Sequence, residues 1–71
     1  MTLTVELDRE DDGRIIAEVT ELPGVLAYGT TREEAIAKVQ ALALHVVAEK
    51  LEHGELVLDP MSVSFATATA A

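Results

Sequence analysis

Leu3, Val5 and Leu7 alternate with Thr2, Thr4, Glu6 and Asp8 in the opening TLTVELD. That period of two predicts a strand with one face buried and the other in water. The alternation returns in IIAEVTE, where Ile15, Ala17 and Val19 share one face and Ile16, Glu18 and Thr20 the other. Between them REDDGR supplies hairpin chemistry, with Asp12-Gly13 as the expected turn. The two strands are therefore read as antiparallel neighbours.

The next punctuation is dense. In ELPGVLAYGTTREEA, Pro23 presets φ at the second position of a turn, and Gly24 accepts the positive φ that a type II turn requires next. A short third strand, VLAYG, follows. Gly29 ends it without a side chain where strand gives way to helix. Thr31 and Glu34 then fit a capping box, and Glu33 and Glu34 suit the positive end of the helix dipole. The helix is expected from Arg32 to about His53, with Gly54 as its stop.

Along that helix Ala35, Ile36, Val39, Leu42, Ala43, Val46 and Val47 form one broad stripe, expected to cover the sheet. A narrower stripe, Ala37, Ala41, Leu44, Ala48 and Leu51, lies opposite. It has two readings: ordinary helix formers with a pair of exposed leucines, or a small-residue contact face for another subunit. After ELVLDP, where Pro60 bars further helix, MSVSFAT alternates again with Met61, Val63 and Phe65 toward the core. A strand reached through a helical crossover is parallel to its neighbour in the simplest topology. The expected architecture is a two-layer α+β fold, β-β-β-α-β. It has a three-stranded antiparallel meander, a returning parallel strand and one helix on one face. Residues 1–71 form a single domain, with 66–71 either extending the last strand or fraying.

Composition sharpens this picture in two ways. A 71-residue chain without cysteine has neither a disulfide nor a thiolate metal site to support its small core, so self-association or partner binding is the natural source of further burial. With the second helix stripe, this motivates the expectation of a homodimer or higher oligomer. Thirteen acidic against five basic residues give a net charge of -8. That charge repels phosphate backbones and attracts a basic protein. The amino terminus has neither the basic nor the long apolar region of a signal peptide, and no segment approaches a membrane span. A cytoplasmic domain is expected.

Candidate chemistry is sparse. Asp8, Glu10, Asp12 and Gly13 echo the start of a calcium loop, but its bidentate glutamate would fall on Val19, and a strand follows. No set of inward acids accompanies Asp8 for a two-metal site. His45 and His53 have no partner at ligand spacing, and Ser62 and Ser64 have no nucleophile setting. No catalytic, cofactor or metal residues are therefore assigned. Partner contact is assigned instead to outward acids: Glu6 and Glu18 on neighbouring strands, Asp11 and Asp12 on the hairpin, and Glu21 near the next turn.

Three elements in order, Asp11-Asp12-Gly13, Leu22-Pro23-Gly24 and Gly29-Thr30-Thr31-Arg32-Glu33-Glu34-Ala35, resemble the amino-terminal domain of HicB antitoxins. The resemblance covers about residues 1–55. Val25 stands where that family often has cysteine, and Ile15-Ile16 where an aromatic is common. It implies a reduced ribonuclease-H-like layer, and an antitoxin that occludes a HicA-type toxin, a small basic ribonuclease. No helix-turn-helix or ribbon-helix-helix pattern follows the final strand, so direct operator binding is not expected. Two further readings stand beside it: an orphan self-associating domain of the same fold that binds another protein or ligand, and a residual metal-dependent nuclease.

Overall fold

The computed structural model describes residues 1–55 and 62–69, and the expectations for Pro60, Met61 and the last two alanines lie outside them. The elements run β1 (Thr2–Arg9), β2 (Ile15–Val19), β3 (Leu26–Gly29), α1 (Arg32–Glu52) and β4 (Ser64–Thr69). The sheet order is β3-β2-β1-β4, with β1 antiparallel to β2 and parallel to β4. This is the expected meander with a returning parallel strand, and β4 lands beside the first strand. The carboxy-terminal segment extends the strand through Thr69.

The two-residue period does what its physics requires. Leu3, Val5 and Leu7 of β1, with Ile15, Ala17 and Val19 of β2, are buried on the face that α1 covers. Val5 pairs with Val19 and Leu7 with Ala17, so the two apolar rows sit side by side. Leu22 and Val25 close one end of this layer. Helix α1 packs over β3, β2 and, more lightly, β1. Phe65 and Val63, next to the far edge of the layer, are half-buried against it.

The turns follow their residues. Val25 N–H donates to Leu22 O at 3.0 Å across Pro23-Gly24, and Gly24 has φ +84°, as a type II turn demands. The hairpin differs from the expected two-residue turn. Gly13 N–H donates to Glu10 O and Glu10 N–H to Arg14 O, enclosing the three residues Asp11, Asp12 and Gly13. A tight turn on Asp12-Gly13 needs positive φ at both residues, and no non-glycine residue adopts it among those described.

The helix cap also departs in one detail. Thr31 Oγ1 accepts from Glu34 N–H at 3.1 Å, but the Glu34 carboxylate returns to Thr30 N–H rather than to the cap residue itself. The far end is a Schellman motif: Gly54 N–H donates to Leu51 O and Glu55 N–H to Lys50 O.

Two helix assignments need correction. The sealed residues are Ala35, Val39, Ala43 and Val47, one every four positions. Such a row winds about 40° around the helix per step. Leu42 falls off it and is 38 % exposed, whereas Leu51 is the next member and packs against the core. Leu51 therefore leaves the outer stripe. That stripe is reduced to exposed Ala37, Ala41, Leu44 and Ala48.

Candidate functional site: an acidic sheet face

With α1 on one face, the alternate residues of every strand form a second, open face. The strand registers place it in rows. Leu26, Glu18, Glu6 and Ala68 lie side by side across β3, β2, β1 and β4. Tyr28, Ile16 and Asp8 form the adjacent row. Glu6 and Glu18 are thus directly opposite one another on the two central strands, and both are exposed. Like charges in that position destabilise a sheet. Glu6, Asp8, Glu10, Ile16, Glu18 and Ala68 line a shallow concavity of about 510 Å³. Leu26 and Tyr28, 37 % and 38 % exposed, give this face an apolar margin on the β3 side.

The five acids assigned from sequence separate into three groups. Glu6 and Glu18 come together in the concavity. Asp11 and Asp12 lie on the hairpin, where Asp12 is already engaged: its carboxylate accepts from Arg14 N–H at 3.1 Å and Arg14 Nε at 2.7 Å. The Arg14 guanidinium also lies 4.6 Å from the centre of the Tyr28 ring, tying the hairpin to β3. Glu21 is at the opposite end of β1 and has a structural task. Its carboxylate accepts from Thr4 N–H and Thr4 Oγ1, both at 2.7 Å, continuing the β1 ladder where β2 has ended.

Two acids of the concavity, Asp8 and Glu10, were not among the partner-contact assignments. The signal for Asp8 was present, since the alternation of the first strand already places it beside Glu6 on the outward face. Glu10 follows the strand and has no periodic signal; the three-residue hairpin loop brings it to the rim. Among the described residues, no three His, Asp or Glu side chains are arranged to hold a metal ion. No described helix is long and apolar enough to cross a membrane.

Three carboxyls are held below their ordinary pKa. Asp12 is lowered chiefly by the Arg14 backbone N–H, Glu21 by the Thr4 backbone N–H, and Glu34 by the Thr30 backbone N–H with help from Lys38. In each case the charged form is favoured in the folded state. Their stabilisation is complete above the unfolded carboxylate range, near pH 4, and fades as pH falls through the lower folded values. Thermal melts from pH 7 to pH 2.5 should show this acid-side loss, and Glu21→Ala should make the fall shallower. An acid limb unchanged in that variant would remove Glu21 from the account.

Over the described residues the fold and site together define a class: an α+β sandwich of one helix on a four-stranded sheet, with one sealed sheet face and one open, acidic face. No family model, curated protein or solved structure matches the chain.

Proposed function

We propose that this domain is a non-enzymatic inhibitor, an antitoxin of the HicB type, which acts in the cytoplasm and occludes a small basic toxin ribonuclease with its open sheet face. The observation that carries the reading is the cross-strand pair Glu6–Glu18. It stands on the solvent side of the two central strands, where it works against the sheet. A local rule broken without local compensation marks a place where another demand is met. A cationic surface docked over Glu6, Asp8, Glu10 and Glu18 would relieve the repulsion and gain attraction at once. The net charge of -8 extends the same field to encounter distances.

Inhibition here means exclusion of substrate. RNA is a polyanion, so an acidic face seated on a ribonuclease covers the surface its substrate needs and repels the substrate's phosphates. The Leu26–Tyr28 margin offers apolar anchorage beside the charges, the combination that sets residence time as well as approach.

The test is co-purification with the product of the adjacent reading frame, where that product is small and basic, followed by an RNA-cleavage assay. A stable complex in which cleavage is suppressed is the expected result. A neighbour that cleaves RNA equally well with this domain in excess would overturn the reading.

A further inference from the structure

We propose that the outer edge of β4 is a self-pairing site. Two copies of the chain join their β4 strands antiparallel about a twofold axis, fusing two four-stranded sheets into one. The inference stands on the sheet edge alone and does not depend on the inhibitor reading.

The free groups can be placed from one hydrogen bond. Ser64 N–H donates to Met1 O at 3.0 Å, so the backbone of Ser64 faces β1. Alternation along the parallel ladder then turns Ser64, Ala66 and Ala68 inward, and aims the N–H and C=O groups of Phe65, Thr67 and Thr69 away from the sheet. Among the described residues no strand pairs with that edge. Natural edges of this kind are blunted by lysine, proline, a bulge or great shortness. SFATAT has no charged residue and no proline, and its register with β1 is continuous over six residues. The other edge is protected differently: β3 has only four residues and ends at Gly29 against the start of α1.

Charge identifies the occupant as a second copy. A basic protein is drawn to the acidic face, whereas a chain of charge -8 is repelled by its own kind nearly everywhere. Residues 62–69 contain no ionisable side chain, so copies meet there at least electrostatic cost. In the joined sheet the Glu6 side chains of the two copies stand at least three strand spacings apart, roughly 14 Å. That exceeds the Debye length of about 8 Å at physiological salt. The edge is also self-complementary. With Thr67 opposite Thr67 across the twofold, Ala66 meets Ala68, and both pairs are uncharged and compatible with a continuous pleat.

Thr67→Pro is the decisive variant. Its missing N–H points outward, so the β1–β4 ladder is intact, and proline is tolerated on an edge strand in that setting. Light scattering and sedimentation over a concentration series should show the wild-type mass rising toward twice the 7.6 kDa chain. Thr67→Pro, with wild-type circular dichroism, should weaken the dimer by roughly tenfold or more. Thr67→Lys, which adds a charge without constraining the backbone, should do the same should the proline variant fail to fold. Leu44→Lys, on the outer helix stripe, should leave the dimer intact. A wild-type chain that remains monomeric at high micromolar concentration would overturn the proposal. So would dimers that survive both Thr67 variants or that Leu44→Lys dissolves.

Discussion

Gly29→Ala should lower the stability of this domain by about 3 kcal/mol, the scale of a severe overpacking change. A Cβ at Gly29 would lie 2.5 Å from the backbone nitrogen of Ala35 and 3.0 Å from its Cα. Neither atom can rotate away, because both belong to the first turn of α1, which the Thr31 cap and the buried Ala35 hold in place. Relief requires the helix start to move off β3. A domain of this size has roughly 4–10 kcal/mol of stability in total. The expected fall in melting temperature is therefore about 12–24 °C. Gly24→Ala provides the comparison. Gly24 has positive φ but open space around its would-be Cβ, so only conformational strain opposes the change, about 1 kcal/mol. Thermal melts of the two variants separate contact from conformation. If Gly29→Ala melts no lower than Gly24→Ala, the close approach is not a stability determinant.

That glycine also shows how much of the fold was legible in the chain. Its place at the end of a short strand, two residues before a threonine cap, marked the strand-to-helix junction without any tertiary information. The type II turn was equally readable, because Pro23 and Gly24 each satisfy one of its dihedral demands. Strand alternation placed every member of the buried rows on β1 and β2 correctly. What periodicity did not supply was the angle at which α1 crosses the sheet. A helical wheel treats Leu42 and Leu51 by azimuth alone, whereas burial follows the row that actually overlies the strands. Hence Leu42 is exposed and Leu51 is packed.

The candidate site was legible in part for a related reason. Outward position is a property of alternation, so Glu6, Glu18 and Asp8 were visible as a set. Register is a property of the hairpin loop, and it was needed to place Glu6 opposite Glu18. Side-chain commitment is not visible in sequence at all. Glu21 looked like a surface acid until the end of β2 left Thr4 N–H for it to satisfy. Asp12 looked equally free until Arg14 folded back onto it. A count of acids therefore overstates the charge on offer to a partner: even in the concavity Asp8 accepts from Arg9 N–H at 2.8 Å, which leaves the opposed Glu6 and Glu18 as its central charges.

The double variant Glu6→Gln, Glu18→Gln should split stability from function, and that split is the strongest expectation from the acidic face. Removing the opposed charges relieves cross-strand repulsion, so the variant should melt about 2–6 °C higher than the wild type at neutral pH and low salt. The same change should slow association with the basic partner by roughly tenfold at low salt and flatten its salt dependence. Dissociation should change less, since long-range charge acts mainly on encounter. Two controls assign the effect. Asp12→Asn should hardly alter association, because that charge is already paired with Arg14. Glu21→Ala should lower stability instead of raising it, because the Thr4 N–H and hydroxyl lose their acceptor. Stopped-flow mixing across a range of salt, with thermal melts of the same preparations, measures both arms. Association that ignores both salt and the double variant would make the open face ordinary solubilising surface. A double variant that melts lower than wild type would mean that Glu6 and Glu18 support the sheet, which removes the reason to seek a partner for them.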